Sequence, residues 1–508
     1  MALRLFETEI SLTPHNKQQS LYQLILSAIR LGKLEANDKL PSTRLLAEQL
    51  HIARSTVKTV YEILQAEGYV ETRRGSGTFV ANLPELPSYE LSTYELLTNE
   101  PPATSESHAT SPSSSLNAPA VSASANTLND SLRQRLHNEQ THLFLPAQPA
   151  MDHFPHNVWH KVSKQALRES YHYGNPDLAG DPLLRHETAL FLRQQRGVNC
   201  TADNLIITSG SQQALYLMLR ILLNAGDTVL LEGVGYQGVD LILNSLGVKN
   251  ELISENSAAS YFTSTEANSS VATAAIVTPS RSFPLGETMP LSTRKALLDW
   301  ATRHERWIIE DDYDSEFTFS GHSIAALQGL DSQQRVIYTG TFSRTMFPGI
   351  RLGYLVVPPS LTAHALRLRS ITDGGLSTSL QRSLAYFMNQ GHYNRHLRRM
   401  RKLYQSRKAL LNALVDQHLP ELTLQPNKGG MHDCYFLPDA LTDKNDEKNP
   451  LDQSIEARAN QAKLGIRALS RYSRSHPKRQ GIVIGFGSTD EADMEAGIIK
   501  LAGIIRSY

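Results

Sequence analysis

The sequence predicts an α/β protein of two folded parts joined by a flexible linker. Residues 10–82 show helical spacings followed by two short strand patterns. Residues 83–142 are rich in Ser, Ala, Pro, Asn and Thr, and they lack the large apolar side chains that would offset the entropy of ordering. From residue 143 to 508, short β-type runs alternate with helical stretches. That alternation is typical of βαβ units around a mostly parallel sheet.

Size and composition narrow the class of protein. The chain has 508 residues, too many for one hydrophobic core. It carries 50 basic and 50 acidic residues, and this balance still permits a locally basic face. The two cysteines, Cys200 and Cys434, lie far apart, which argues against a disulfide scaffold. The opening segment MALRLFETEI is unlike a signal peptide, and no apolar run is long enough to span a membrane. We therefore expect a cytoplasmic protein without a membrane partner.

The first part, residues 10–82, is predicted to be a helix-turn-helix followed by a hairpin. The segments LPSTRLLAEQL and RSTVKTVYEILQAEGYV carry apolar side chains at helical spacing and are separated by a short turn. Two β-type runs then flank RRGS, a basic tip with the shape of a wing. A polar and basic second helix suits docking in the major groove of DNA. The alternative is a small helical interaction module with a solvated charged face.

These segments closely resemble the GntR-type winged helix along the whole domain. The resemblance implies a double-stranded DNA operator as partner. The residues that it places near DNA are Arg44, Arg54, Ser55, Thr56, Lys58, Arg74 and Gly75. Arginines can read guanine edges, whereas lysines and hydroxyls more often hold phosphates.

The second part, residues 143–508, contains six predicted strands. They cover residues 205–207, 228–231, 274–277, 307–309, 335–338 and 354–357. Three of them end in motifs that carry chemistry: TSGSQQAL, EDDYDSEF and GTFSRTMFPGIR. A helix that starts in a small-residue turn, and hydroxyls with an arginine at a strand end, both suit a phosphate. Five acids in seven residues need a partner because like charges repel, and a metal is disfavoured because no histidine pair is nearby.

Together these motifs resemble the aminotransferase-like half of MocR-type transcription regulators, a branch of the GntR superfamily. That half has the fold of the PLP-dependent transferases of fold-type I, with a large α/β domain and a small C-terminal subdomain. The resemblance implies a site for pyridoxal 5′-phosphate (PLP). The residues that it assigns to the cofactor are Ser211, Gln212, Tyr236, Asp311, Tyr313, Thr341, Ser343, Arg344 and Arg351.

Individual roles also follow from the resemblance. Asp311 would pair with the protonated pyridine nitrogen, and Tyr313 would contact the ring hydroxyl. Tyr236 would stack on the ring, although the motif E-x-P-x-Y has Val234 at the proline position. A buried core tyrosine is the alternative for Tyr236.

The sequence departs from the family at the reactive centre. The family turn reads G-[ST]-F-S-K, and its lysine holds PLP as a Schiff base, whereas this chain has Arg344. A guanidinium stays protonated and cannot form that imine. We therefore predict no catalytic residue, and PLP that is held noncovalently or lost. Arg344 is either a natural divergence or an engineered substitution that traps a ligand, and the second departure favours divergence.

That second departure is Arg281 with Ser282, where the family has His and Gln. Arg281 and Arg344 could attract an anionic ligand or pack as ion pairs against Asp311 and Asp312. Near the C-terminus, ALSRY resembles the family segment whose arginine binds the effector's carboxylate. Arg471 and Arg281 are therefore the expected effector-binding residues, with a surface arginine as the alternative for Arg471.

The sequence thus predicts a transcription regulator that senses PLP, an amino compound or both. The resemblance further implies a head-to-tail homodimer, which suits operators built from two half-sites. The alternative is a PLP-dependent aminotransferase with residual or altered activity. Such an enzyme needs a lysine as Schiff-base former and proton carrier, and Arg344 removes both roles.

Overall fold

The computed structural model describes residues 17–30, 32–73, 75–82, 142–169, 174–253, 258–264, 267, 270–319, 325–442, 450–474 and 480–508. The chain divides into two compact units, Met1–Leu116 and Asn117–Tyr508. The predicted start of the first domain at residue 10, the wing residue Arg74 and nearly all of the predicted linker lie outside the described residues.

In its described residues, the first unit has three helices and a two-stranded hairpin. Its elements are α1 (Lys17–Arg30), α2 (Thr43–Gln49), α3 (Arg54–Ala66), β1 (Val70–Arg73) and β2 (Gly77–Val80), and the two strands pair antiparallel. Helix α2 begins after Ser42, whose hydroxyl accepts a hydrogen bond from the backbone N–H of Leu45 at 3.2 Å. The apolar stripes of the helices form one core, which includes Leu21, Ile25, Leu46, Val57, Val60 and Leu64.

The second unit is built on a seven-stranded sheet. Its strands are β3 (Leu205–Thr208), β4 (Thr228–Leu231), β5 (Lys249–Leu252), β6 (Ala274–Val277), β7 (Trp307–Asp312), β8 (Val336–Thr341) and β9 (Gly353–Val356). Their order is β3-β9-β8-β7-β6-β4-β5. All six predicted strands are present. The missed strand, β5, has the polar sequence KNEL because it lies at the sheet edge and is only partly buried.

Helices cover both faces of this sheet. They are α4 (His156–Ala166), α5 (Pro182–Arg196), α6 (Ser211–Leu222), α7 (Gln237–Leu246), α8 (Ala258–Thr263), α9 (Leu291–Arg303), α10 (Pro359–Thr372), α11 (Thr378–Asn389) and α12 (His392–His418). One apolar layer joins the sheet to α6, α7 and α10, and another joins it to α8 and α9. Within the described residues, no helix is both long and apolar enough to cross a membrane.

A smaller four-stranded sheet completes the second unit. Its strands β10 (Thr423–Leu424), β11 (His432–Phe436), β12 (Arg467–Ala468) and β13 (Gly481–Gly485) pair antiparallel in the order β10-β11-β13-β12. The helices α13 (Asp439–Thr442), α14 (Leu451–Gln461) and α15 (Glu491–Ile505) complete this subdomain. The predicted fold is confirmed: a winged-helix head, and a large α/β domain with a small C-terminal subdomain.

Sheet topology brings the sequence motifs to one edge. Strands β4 to β8 pair parallel, and β3 runs in the same direction because β9 is antiparallel to both β3 and β8. The carboxyl ends of β3, β4, β6, β7 and β8 therefore meet at the same edge. In open α/β sheets this edge is where ligands bind.

Candidate functional site

One end of the site has the features of an anion-binding turn. Gly210 has φ +80°, and α6 begins at the next residue. A Cβ on Gly353 would lie 2.8 Å from the Cα of Gly210, so only glycine allows β9 to approach this turn so closely. Arg351 donates to the carbonyl of Ser209 at 3.5 Å, beside the first N–H groups of α6. A helix N-terminus with an arginine beside it suits a phosphate.

The turn after β8 contributes to the same end of the site. The hydroxyl of Thr341 donates to the carbonyl of Leu352 at 3.4 Å and accepts from the N–H of Ser343 at 3.1 Å. The hydroxyl of Thr341 is therefore hydrogen-bonded within the protein, and it stabilises the turn. By contrast, the Oγ of Ser343 is buried without a hydrogen-bond partner among the described residues. Such an atom is costly unless a ligand supplies the partner.

The acidic side chains at the end of β7 point alternately to the two faces of the sheet. Glu310 accepts from the backbone N–H groups of Leu327 and Gln328, both at 2.9 Å. Asp312 lies 3.0 Å from the guanidinium of Arg196. It also accepts hydrogen bonds at 2.8 Å and 2.6 Å from the hydroxyls of Ser315 and Tyr338. These two acids are thus satisfied by the protein itself.

Asp311 points to the opposite face of β7 and is left without such partners. Its side chain is buried, and its Oδ1 has no hydrogen-bond partner among the described residues. Burial and the nearby charge of Asp312 raise the pKa of Asp311 to about 7, whereas the positive charge of Arg344 opposes that rise. A buried carboxylate with a free oxygen suits a cationic hydrogen-bond donor, such as a protonated ring nitrogen.

Arg281 makes contacts that the sequence did not predict. Its guanidinium lies 3.3 Å from the carboxylate of Asp314, which is fully buried. It also donates to the backbone carbonyls of Gly429 and His432, where the small subdomain begins. The structure therefore does not bring Arg281 into an ion pair with Asp311 or Asp312. It makes Arg281 a link between the two subdomains.

Aromatic side chains lie near these groups. Tyr236 is 41% exposed, and its ring centroid is 6.4 Å from that of Phe283, edge to face. Phe283 in turn makes an edge contact with Tyr313 at 5.4 Å. Gln212 donates to the carbonyl of Gly238 at 3.0 Å, and its Oε1 is buried without a partner among the described residues. The exposure of Tyr236 leaves its ring available for stacking.

Arg344 is half-buried in the turn that follows β8. One of its nitrogens donates to the backbone carbonyl of Ala147. No carboxylate of the described residues forms an ion pair with it. The structure thus brings a charged guanidinium, rather than an amine, into the neighbourhood of Asp311.

The expected effector residue Arg471 has a protein partner. Its Nε lies 2.5 Å from the carboxylate of Glu456, which is almost fully buried. Sequence reasoning missed Arg474, three residues further along. Arg474 donates to both oxygens of Asp240, at 2.8 and 2.9 Å, and to the carbonyl of Tyr236 at 3.1 Å. The repeated spacing in SRYSR was the available signal for it.

The predicted DNA-contacting side chains of the head are solvent-exposed. Arg44 and Lys58 are 79% and 71% exposed, and they pair with Glu48 and Glu62 one turn along their helices. Such exposed pairs contribute little stability, so both cations are available to DNA. Arg54 donates to the hydroxyl of Thr43 at 3.3 Å, a contact that joins the start of α3 to α2.

The remaining residues predicted to contact DNA are exposed or half-buried. Ser55 is exposed and Thr56 is half-buried at the start of α3. Gly75 is exposed in the wing with φ +80°, a conformation that glycine adopts without strain. Two cations flank the Phe79 ring of the wing. Arg73, which belongs to the predicted basic tip, lies 4.6 Å from the ring centre, and Lys39, which sequence reasoning missed, lies 5.8 Å from it.

A metal centre is not built by the described part of the chain. There, no group of three or more His, Cys, Asp and Glu side chains is placed to hold an ion.

Comparison with known proteins identifies both units. Residues 17–80 match the family of bacterial regulatory proteins, gntR family, and residues 148–446 match the family aminotransferase class I and II. The kynurenine aminotransferase of Pyrococcus horikoshii has a similar fold, with a TM-score of 0.68 and 24% identity. That similarity covers 76% of this chain and 97% of the aminotransferase.

Two relatives are similar over the full length. The probable rhizopine catabolism regulatory protein MocR of Rhizobium meliloti is 36% identical over 95% of this chain and 92% of its own. The HTH-type pyridoxine biosynthesis transcriptional regulator PdxR of Corynebacterium glutamicum is 31% identical over 96% of both chains. The chain therefore belongs to the MocR-type, DNA-binding transcription regulators of the GntR superfamily, in which a winged helix is joined to an aminotransferase-like domain.

Proposed function

We propose that the aminotransferase-like domain senses a phosphopyridoxyl compound, PLP or a close derivative, which it holds without a covalent bond. The observation that carries this proposal is Asp311, a buried carboxylate whose Oδ1 has no hydrogen-bond partner in the part of the chain that the structure describes. It lies at the edge of the sheet where open α/β folds bind their ligands. The binding state would then alter the affinity of the winged helix for its DNA operator. Because the partner is an operator, we infer that the protein works in the cytoplasm.

The residues fit the ligand at its phosphate end. The N-terminus of α6 with Ser211, the guanidinium of Arg351 and the unpartnered Oγ of Ser343 supply donors and positive charge. A phosphate dianion would satisfy all three. The turn geometry at Gly210 supports this assignment, because a side chain at φ +80° would be strained and because the guanidinium of Arg351 lies beside this residue.

The residues also fit the ring end. Asp311 would hold the protonated pyridine nitrogen, which in active PLP enzymes makes the ring an electron sink. Tyr236 would stack on the ring and Tyr313 would meet its hydroxyl. The buried Oε1 of Gln212 is a further acceptor, which no described residue meets with a hydrogen bond. These assignments join residues at the carboxyl ends of β3, β4 and β7 around one ligand.

The proposed role is sensing and not catalysis. Arg344 stands where the Schiff-base lysine would be, and a guanidinium remains protonated at any physiological pH. It cannot trap the aldehyde of PLP or carry a proton to and from a substrate carbon. The name of the Corynebacterium relative, a regulator of pyridoxine biosynthesis, also favours a vitamin B6 compound as ligand.

A binding measurement tests this proposal. Isothermal titration of the full-length protein with PLP is expected to show binding, and pyridoxal without the phosphate is expected to bind at least about tenfold more weakly. Arg351→Met should weaken PLP to the level of pyridoxal. A matched control is Arg303→Met, an exposed arginine at the end of α9. Equal PLP affinity in the wild type and Arg351→Met would remove the phosphate assignment.

A DNA measurement tests the regulatory half. A DNA fragment selected from a random pool by the wild-type protein is titrated with and without saturating PLP. We expect PLP to change the affinity of the wild type and to leave that of Arg351→Met unchanged. An affinity that PLP changes equally in both proteins would show that the effect does not arise at this pocket.

We also propose that the protein acts as a head-to-tail homodimer. An operator of two half-sites suits two heads, because the second head then binds at a high effective concentration. The isolated segment 1–82 is therefore expected to bind the selected DNA much more weakly than the full chain. Equal affinities of segment and full chain, with the segment shown to be folded by circular dichroism, would contradict recognition by a dimer.

A further inference from the structure

We propose that Arg344 binds a second anionic group of the ligand, a carboxylate carried on the substituent at position 4 of the pyridine ring. This inference rests on the proposed function and specifies its ligand class: a phosphopyridoxyl compound with a carboxylate, rather than a vitamin B6 phosphate that lacks one. The residue that the family resemblance would give this task is Arg471.

The balance of charge around the site separates its arginines into two groups. Four of them have carboxylate partners: Arg196 with Asp312 at 3.0 Å, Arg281 with Asp314 at 3.3 Å, Arg471 with Glu456 at 2.5 Å and Arg474 with Asp240 at 2.8 Å. In the described part of the chain, Arg344 and Arg351 have no carboxylate within 4 Å. The pocket therefore presents two guanidinium groups without an ion-pair partner among the described residues.

One phosphate accounts for only one of these two cations. Arg351 lies beside the N-terminus of α6, where the phosphate is proposed to bind. Arg344 is in the turn after β8, and its positive charge opposes the rise in pKa of Asp311, Asp314 and Tyr472. Asp311 and Asp314 lie at the end of β7, and Tyr472 lies in the small subdomain. This position is on the ring side of the pocket. A second anionic group of the ligand would satisfy Arg344 there.

Asp311 does not serve as the counter-ion of Arg344. Its carboxylate makes no ion pair with the guanidinium, and its free Oδ1 is the acceptor proposed for the ring nitrogen. Arg344 uses one nitrogen for the backbone carbonyl of Ala147, so the rest of its planar fork is available to a ligand. A guanidinium pairs best with a planar carboxylate, which it meets through two parallel hydrogen bonds.

The ion pair of Arg471 with Glu456 makes Arg471 a poor candidate for binding the carboxylate of the ligand. Glu456 is 1% exposed, and besides Arg471 it accepts from the backbone N–H of Ala468 at 3.0 Å and lies 3.8 Å from Arg467. If Arg471 turned to a ligand, this buried carboxylate would lose its shortest ion pair. Removing one partner of a buried pair is strongly unfavourable. Arg344 needs no such rearrangement.

Two kinds of phosphopyridoxyl compound carry a carboxylate on the substituent at position 4 of the ring. The carboxylate can be part of the ring substituent itself, as in 4-pyridoxic acid 5′-phosphate. It can also belong to an amino acid joined through its nitrogen, as in N-(5′-phosphopyridoxyl)-L-alanine. Each has a matched compound without the carboxylate, namely pyridoxine 5′-phosphate and N-(5′-phosphopyridoxyl)ethylamine.

The test is isothermal titration of the full-length protein with these four probes. We expect the carboxylate to improve affinity at least about tenfold in one pair or in both, and the pair that responds identifies the source. Arg344→Met should remove the preference, and Arg471→Met should keep it. The inference is overturned if neither pair shows a preference, or if Arg471→Met loses it while Arg344→Met keeps it.

The fold and the proposed function are controlled separately. Because Arg344→Met also loses the bond to Ala147, Arg344→Lys is measured in parallel, and none of the four probes has an aldehyde that a lysine could trap. We expect the lysine variant to bind the carboxylate probes with intermediate affinity, since it keeps the charge but not the planar fork. A full preference in both folded variants would overturn the inference alone. No binding of any probe to the wild type would overturn the proposed function as well.

Discussion

The guanidinium of Arg281 lies 3.3 Å from the carboxylate of Asp314, and the two side chains are 7% and 0% exposed. Arg281 follows β6 and Asp314 follows β7. The same guanidinium donates to backbone carbonyls at residues 429 and 432, which belong to the small subdomain. One buried ion pair thus joins two strand ends of the large sheet to the small subdomain, close to the proposed ring site.

We predict that Arg281→Met destabilises the large unit by about 3–5 kcal/mol, because it leaves the Asp314 carboxylate buried without its counter-charge. The double variant Arg281→Met with Asp314→Asn should recover much of the loss. Urea unfolding measures both, with the exposed Arg303→Met as control, expected within about 0.5 kcal/mol of wild type. If the double variant recovered none of the loss, the lost backbone contacts of Arg281, and not the unpaired carboxylate of Asp314, would account for it.

Asp311 is expected to make stability depend on pH. Its pKa in the folded protein is about 7, above the ordinary aspartate value of 3.8. The folded protein therefore keeps a proton that the unfolded chain releases, and the free energy of unfolding falls as pH rises from about 4 to about 7. Asp311→Asn should match wild type near pH 4 and be more stable by a few kcal/mol at pH 8.

The measurement is urea unfolding across that pH range, with Asp299→Asn on the exposed face of α9 as control. The control should show no pH-dependent difference from wild type. A constant difference between Asp311→Asn and wild type at every pH would mean that titration of Asp311 is not its cause.

Arg344→Lys is expected to restore the missing amine. With PLP added, this variant should gain a visible absorbance that borohydride reduction removes, and the wild type should lack it, because only lysine can form an imine with the aldehyde. Arg351→Met in the same background should need a higher PLP concentration. If Arg344→Lys stays colourless at saturating PLP, the pocket has diverged by more than one residue, and PLP should be dropped as the ligand.

Arg54→Ala and Lys58→Ala are each expected to weaken specific DNA binding without unfolding either unit. Loss of a base-reading arginine should cost about 1–3 kcal/mol, and loss of a phosphate-binding lysine should lower the salt slope by about 1. Fluorescence anisotropy on the selected DNA at several salt concentrations measures both effects. Lys33→Ala, an exposed lysine outside α2, α3 and the wing, is the control. Unchanged affinity in both variants at near-physiological salt would contradict docking through α3.

The sequence by itself determined the elements and the places of the motifs. Helical spacing in α2 and α3 and the apolar runs of the large sheet are local patterns, and a short stretch of chain contains all the information that they need. The motifs TSGSQQ, EDDYD and GTFSR stand at strand ends, so a parallel sheet necessarily brings them to one edge. Strand β5 was not predicted, because its sequence KNEL lies at the sheet edge and shows no alternation of apolar and polar residues.

Only the tertiary structure decided which charges remain available at that edge. Asp312 is neutralised by Arg196, 116 residues away in the chain, and Arg471 by Glu456, 15 residues away. Such pairings depend on distance in space, which no local spacing encodes. The alternation of β7 then leaves Asp311 as the acid with an unpartnered oxygen among the described residues. The chain order thus supplied the chemical groups of this edge, and packing left Asp311, Arg344 and Arg351 without an ion-pair partner among the described residues.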